Sequence, residues 1–107
     1  VVHYINDTLQ DMGKFGTDDY SFTTHAKHWS ELKGFALGLQ FNPKSPLSDT
    51  DFVQFHTLIG DSPVLPSHSD ADIADYKANL IEARELLGNA YGYDASLLGD
   101  DGGENGW

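Results

Sequence analysis

The chain contains no cysteine among its 107 residues. Disulfide bonds and thiolate-ligated metal sites are therefore excluded. It also has no apolar run near the roughly 20 residues that a membrane-spanning helix needs. The patterns HExxH, GxxxxGK[ST], GxGxxG and GxSxG are all absent, so the sequence indicates no zinc-protease, P-loop, dinucleotide-binding or serine-hydrolase site.

Basic residues are scarce. Six Lys and Arg stand against seventeen Asp and Glu, which gives a formal net charge of −11. Such a field repels nucleic acids and anionic membrane surfaces and permits cations or basic partners. Hydrophobic residues make up 39% and aromatic residues 12% of the chain, a content typical of a folded core. The length fits a single domain over residues 1–107.

Apolar residues recur at helical spacing in four segments. The first is marked by Val2, Ile5, Leu9 and Met12. A second helix is predicted from about Asp18 to about Gln40, with Thr17 as its N-cap, and Asn42-Pro43 ends it. Ser48 and Ser69, each followed three positions later by an aspartate, predict the starts of a third and a fourth helix.

No segment alternates apolar and polar residues in the manner of a strand. The sequence therefore predicts an all-α fold, a four-helix antiparallel bundle-like arrangement with the second and fourth helices at its centre. Residues 94–107 are predicted to form a flexible, acidic, glycine-rich tail. Because the chain begins with Val1 inside a helical pattern, it is expected to be a fragment or a processed product.

The second helix has an apolar stripe on one side and two glycines on the other. Gly34 and Gly38 each cost about 1 kcal/mol relative to alanine in a helix, which a closely packed backbone would explain. Both sides of the second half are therefore expected to be covered, either within the fold or by a second copy through the Gly34/Gly38 face. The predicted stripe consists of Phe22, His25, Trp29, Leu32, Ala36 and Leu39.

His25, His28 and Glu31 are spaced three residues apart on this helix. His25 and Glu31 lie about 120° apart around the axis, so they do not share a metal ion easily. A His/carboxylate pair at i and i+3 can offer two ligands from one helix, which makes His28 and Glu31 a candidate divalent-metal site. A metal site usually needs further ligands, and the alternative is that the imidazoles serve helix packing.

Three side chains of the same helix are candidate binding residues: His25, Trp29 and Lys33. Each also has a structural interpretation. His25 can be a core imidazole beside Trp29, Trp29 can anchor the core with its indole N–H paired, and Lys33 can lie over the indole ring or in solvent.

A distinctive set of motifs runs along most of the chain: HWxExKGF at residues 28–35, LQFNP at 39–43, GDxPVL at 60–65, and the pairs Ala83-Arg84 and Ala90-Tyr91. With these motifs the chain resembles an uncharacterised bacterial family, domain of unknown function 4856. Members of that family are longer, exported helical proteins, often lipoproteins. The resemblance implies that this chain is a C-terminal portion of such a protein, with a periplasmic or extracellular location and a lipid anchor in the parent protein, and it attaches no activity.

A looser similarity is to imelysin-like proteins, periplasmic helical bundles associated with iron uptake that carry GxHxxE as a proposed metal motif. Ala26-x-His28-x-x-Glu31 resembles that motif, with alanine in place of its glycine. Two hypotheses follow. The chain is a structural or binding portion of an exported helical protein without catalysis, or it binds a divalent metal such as iron through His28 and Glu31.

Overall fold

The computed structural model describes residues 1–107 and contains four α-helices and no strand. This confirms the predicted all-α, bundle-like fold. None of the helices is both long and apolar enough to cross a membrane. The helices are α1 (Val2–Gly13), α2 (Phe22–Gly38), α3 (Asp49–Ile59) and α4 (Asp70–Tyr91), and short 3₁₀ turns occupy Leu39–Phe41 and Ala95–Leu97.

Serine caps start α3 and α4 where the sequence predicts them. The Ser48 hydroxyl accepts a hydrogen bond from the Asp51 amide, and the Ser69 hydroxyl accepts one from the Asp72 amide, each at 3.1 Å. These bonds satisfy amides that have no partner within the first turn. α4 ends at Gly92, whose φ of 68° is a left-handed conformation that glycine adopts without strain.

α2 begins later than predicted. Its N-cap is Ser21, whose hydroxyl accepts from the Thr24 amide at 3.2 Å. Thr17 is not a cap, because its hydroxyl donates instead to the Lys14 carbonyl at 2.7 Å and helps close the turn after α1. Asp18 and Asp19 therefore belong to the connection between the two helices.

The centre of the fold is formed by α1 and α4. α1 packs against both α2 and α4, and α3 packs against α4. The prediction that α2 shares the centre with α4 is therefore wrong. The reason lies in α1, which buries polar as well as apolar side chains and thus contacts neighbours on more than one side: Val2, Ile5, Asn6, Thr8, Leu9, Asp11 and Met12.

α2 buries one face only. Trp29, Leu32 and Ala36 lie in the core beside His25, as predicted, whereas Phe22 is 59% exposed. Gly34 and Gly38 are solvent-exposed, and a methyl group built on either would meet nothing within 4 Å. Within this chain the glycine face is therefore uncovered, which corrects the expectation that the fold itself closes it.

Candidate functional site

His28 is held by carboxylates from α1. Its Nδ1 donates to Asp11 Oδ2 at 2.6 Å, a short charge-assisted hydrogen bond. Its Nε2 lies 3.9 Å from Asp7 Oδ2, and the same oxygen is 3.2 Å from His3 Nε2. The four side chains form an alternating imidazole–carboxylate row between the two helices, and the Asp11 side chain is only 6% exposed.

Glu31, the other half of the predicted metal pair, lies elsewhere. The polar partners of His28 are Asp11 and Asp7, and Glu31 is not among them. Glu31 lines a shallow surface depression with Gly34 and Phe35. The structure therefore joins His28 to α1 rather than to its own helix.

Sequence reasoning missed the aspartates, although a signal existed. His3, Asp7 and Asp11 are spaced four residues apart, which aligns them along one side of a helix. What the sequence could not show is that α2 packs on that side of α1. In the geometry observed, no three His, Cys, Asp or Glu side chains are arranged to hold a metal ion.

His25 is fully buried and packs within an aromatic corner. Its Nδ1 shares a hydrogen bond of 2.9 Å with the Tyr20 hydroxyl, and its ring lies 5.5 Å from that of Phe15. Burial lowers the pKa of His25, with a smaller opposing effect from the charge of Asp11. Its Nε2 has no hydrogen-bond partner, so burial favours the neutral form of His25 and the side chain packs as a core residue.

Trp29 takes part in a buried relay across three helices. Its indole N–H donates to the Tyr76 hydroxyl at 2.8 Å, and that hydroxyl donates to the Ile59 carbonyl at 2.7 Å. Burial raises the pKa of Tyr76 to about 12, with a smaller lowering from the Trp29 hydrogen bond. The relay satisfies the last turn of α3, whose carbonyls have no partner within the helix.

Lys33 binds the end of α3 as well. Its ammonium donates to the Gly60 carbonyl at 2.8 Å and lies 3.2 Å from His56 Nδ1 and 3.3 Å from Asp61 Oδ1. Burial lowers the pKa of His56, partly offset by the nearby Ala36 carbonyl, while its Nε2 makes no hydrogen bond of standard geometry. A cation at a helix C-terminus is favoured by the helix dipole, so Lys33 stabilises this junction.

A second polar network fixes the end of the chain to α1 and α4. The buried Arg84 Nη1 donates to Asn6 Oδ1 at 2.7 Å and to the Asp100 carbonyl at 2.8 Å. Asn6 Nδ2 donates to the carbonyls of Leu98 and Trp107 at 2.9 and 2.6 Å. Residues 98–107 thus have a defined hydrogen-bonded conformation, while the predicted flexibility of the tail remains to be measured.

An apolar cleft of about 330 Å³ opens where the first residues of α1, the end of α4 and the tail meet. Seven of its eight lining residues are hydrophobic, and His3 is the exception. The hydrophobic lining residues are Val1, Val2, Leu39, Leu87, Tyr91, Tyr93 and Trp107. Neither this cleft nor any other concavity is lined by His25, His28, Trp29 or Lys33.

Comparisons with protein-family models, curated proteins and solved structures gave no match to this chain.

Proposed function

We propose that this chain is a structural and binding portion of an exported bacterial helical protein and performs no catalysis. The proposal rests on the contacts of the side chains that could take part in catalysis or binding. His25, His28, Trp29 and Lys33 are all engaged between elements of the fold, and none of them lines a concavity that a substrate could enter. General acid–base or nucleophilic chemistry needs such groups within reach of a bound substrate.

The binding surface is the uncovered side of α2. Gly34 and Gly38 leave the backbone open to close approach, and Phe35, Leu37 and Phe41 nearby are 59%, 44% and 76% exposed. Exposed apolar clusters of this kind mark interaction sites. The occupant we propose is the same face of a second copy, since small residues at helical spacing let two helix backbones pack closely.

Light scattering of the purified chain over a concentration series tests this surface. We expect a dimer that strengthens with added salt, because the net charge of −11 opposes self-association at low ionic strength. Gly34→Leu, which blocks close approach, should leave a monomer, while Gly13→Leu, at another exposed glycine with open surroundings, should not. A monomer at every concentration and salt level would rule out the second copy as the occupant.

The absence of catalysis has its own test. A hydrolytic or redox activity that is lost in His28→Ala and kept in His68→Ala would overturn the non-catalytic assignment. The matched control is apt because His68 is exposed and bonds only within its own turn, to the backbone of Leu65.

The exported location rests on the family resemblance. The acid excess agrees with it, because a high net charge favours solubility in salty surroundings. Fractionation of the source cells with an antibody against this chain should find it in the periplasm or bound to a lipid membrane through an anchor. Recovery in the cytoplasmic fraction would contradict the proposal.

A second candidate function is divalent-metal binding through His28 and Glu31. One contact favours it: Asp11 holds His28 through Nδ1, the outer-sphere arrangement that commonly orients a metal-binding imidazole. Glu31 would need to turn toward His28, since the two are not paired in the structure. The metal itself would supply Lewis-acid or transport chemistry, and the residues would only bind and orient it.

Calorimetric titration with Fe²⁺, Zn²⁺ and Ca²⁺ tests whether the chain binds a divalent metal and whether His28 and Glu31 are its ligands. If the candidate holds, the wild-type chain binds, while His28→Ala and Glu31→Gln both lose affinity and His68→Ala does not. Binding that survives Glu31→Gln would remove Glu31 from the site, and equal titrations of the wild type and His28→Ala would remove the site altogether.

A further inference from the structure

The dipeptide Asn105-Gly106 in the tail can react with itself. Among the asparagines of the chain, only Asn105 precedes a glycine. The backbone nitrogen that follows an asparagine can attack the amide carbon of the asparagine side chain. Glycine permits this attack best, because it has no side chain to obstruct the approach and its backbone is the most flexible. The sequence thus contains one asparagine that is well suited to deamidation.

The two reacting groups lie at the surface of the fold. Asn105 and Gly106 are both exposed, and the Gly106 amide donates to no backbone carbonyl. Asn105 has a φ of 60° and is the only residue other than glycine with a positive φ. Asparagine enters this left-handed region more readily than most residues. The turn therefore gives a structural reason for an asparagine at this position, and the same choice of residue makes the position reactive.

The folded tail restrains the reaction. Asn105 Nδ2 donates to Asp100 Oδ2 at 2.9 Å, which holds the amide toward the preceding turn. Gly106 lies so close to Gly99 that a methyl group at position 106 would overlap the Gly99 backbone. Ring closure requires the Asn105 side chain and the Gly106 nitrogen to move toward each other. The attack therefore takes place in molecules whose tail has opened locally, and its rate follows the opened fraction.

We propose that Asn105 is a deamidation site that reacts from the opened tail, and that its conversion weakens the attachment of residues 98–107 to α1. The Gly106 nitrogen forms a bond to Asn105 Cγ, the bond from Cγ to Nδ2 breaks, and the amide proton of Gly106 leaves with Nδ2 as ammonia. Water then opens the resulting succinimide at either carbonyl, which gives aspartate or isoaspartate. One water is consumed and one ammonia is released, without oxidation or reduction.

The products cannot keep the contacts of the asparagine. The Asp100 carboxylate accepts hydrogen bonds from two backbone amides as well as from Asn105 Nδ2. A carboxylate at position 105 replaces that third donor by a second negative charge, in a chain whose net charge is already −11. Isoaspartate also lengthens the backbone by one carbon just before Trp107, whose carbonyl accepts from Asn6 Nδ2. Either product therefore loosens the tail.

Peptide mass spectrometry of the full chain, aged in mildly alkaline buffer, tests the site. We expect the amide-to-acid mass increase to accumulate at Asn105 and not at Asn89, which is also exposed but lies within α4 and precedes Ala90. Asn105→Gln keeps an amide but would need a larger ring, so it should not convert. The proposal fails if Asn89 converts as fast as Asn105, or if Asn105 stays intact for as long as the urea-unfolded chain takes to convert completely.

A variant on α4 tests the role of tail opening. Arg84 Nη1 donates to the Asp100 carbonyl and to Asn6 Oδ1, so Arg84→Met should increase the opened fraction and speed the conversion of Asn105 by about 10-fold. Lys77→Met, on the same helix, should convert at the wild-type rate. Equal rates in the two variants would show that the attack needs no opening and would refute this part of the proposal.

Hydrogen exchange at the Trp107 amide tests the effect on the tail. Asn105→Asp reproduces one product, and we expect its Trp107 amide to exchange about 2- to 13-fold faster than in the wild type, equivalent to the loss of one hydrogen bond. Asn89→Asp adds the same charge on α4 and should leave this exchange unchanged. Wild-type exchange in Asn105→Asp would mean that the tail tolerates the new carboxylate, against the proposal. None of these experiments depends on the binding surface of α2.

Discussion

At the scale of single residues, the polar side chains of this fold serve as connections between helices. Trp29 was identified from the sequence as a core anchor whose indole N–H needs an acceptor, and the structure supplies Tyr76 from α4. The sequence could not name that partner, because Trp29 and Tyr76 are separated by 47 positions and meet only through packing. The indole N–H of Trp29 thus predicted that an acceptor is needed, and the arrangement of α2 and α4 determined that the acceptor is Tyr76.

Tyr76→Phe tests the relay. The substitution leaves the Trp29 N–H and the Ile59 carbonyl without their hydroxyl partner in a buried place, so the free energy of unfolding should fall by about 1–3 kcal/mol. Urea denaturation measures it. Tyr93→Phe, at a partly exposed tyrosine, should change stability by no more than about 0.5 kcal/mol, and equal effects of the two variants would contradict the relay.

The burial of His25 predicts that the free energy of unfolding depends on pH. Burial lowers its pKa in the folded state below the ordinary value of 6.5, so the unfolded chain takes up a proton more readily. The stability due to neutral His25 is complete above about pH 6.5 and is lost as the pH falls from there toward the lower folded pKa. His56, whose pKa burial also lowers, adds a dependence of the same sign.

Urea unfolding between pH 7.5 and 5 measures this dependence. His25→Gln should be less stable than the wild type at high pH and should lose less stability on acidification, while His68→Gln should keep the wild-type slope. An identical slope in His25→Gln would exclude His25 as the source.

At the scale of helices, local sequence signals predicted starts and stops well where a cap acts on its own helix. Ser48 and Ser69 are examples, since each hydroxyl accepts from an amide only three residues further along the chain. The predicted start of α2 was wrong because the Thr17 hydroxyl bonds backward to the Lys14 carbonyl, and Ser21, four residues later, caps the helix. The expectation that the fold itself covers the Gly34/Gly38 face was wrong. A helical wheel shows which residues share one side of a helix, but it does not show whether another element packs on that side.

Substitution of the exposed glycines gives an element-scale prediction. Gly34→Ala and Gly38→Ala meet open space, so each should raise the free energy of unfolding of the monomer by up to about 1 kcal/mol through helix propensity. Gly88→Ala should not gain this stability, because its new methyl group would come within 2.6 Å of Leu98 Cδ1. Thermal unfolding at low protein concentration compares the three, and a loss of stability in Gly34→Ala would show that this face is already covered in the monomer.

At the scale of the whole molecule, the sequence predicted the number of helices and most of the core, and it missed the relations between distant segments. Asn6 and Arg84 are polar residues within helices, yet both are buried, at 1% and 3% exposure. Their role depends on the last ten residues folding back over α1. In the same way, the packing of α1 against α2 places Asp7 and Asp11 beside His28. The spacing of residues within α2 could not reveal this contact.

Hydrogen exchange tests the tail directly. The amides of Gly103 and Trp107 donate to backbone carbonyls, so we expect measurable protection in the wild type. Arg84→Met removes the cation that joins Asn6 to the Asp100 carbonyl and should lower this protection by at least about 10-fold, equivalent to about 1.4 kcal/mol. Lys77→Met is the control on the same helix, and full-speed exchange of both amides in the wild type would instead confirm the predicted flexibility.

The attachment of Trp107 to Asn6 also has a consequence for biosynthesis. During synthesis α1 and α4 are made before residues 98–107, so Asn6 and Arg84 can bond to each other while their backbone acceptors are still missing. Residues 98–107 complete these bonds, since the acceptors are the backbone carbonyls of Leu98, Asp100 and Trp107. This attachment therefore forms only after all four helices have been made, and a chain truncated near residue 97 would keep the helices and lack these bonds.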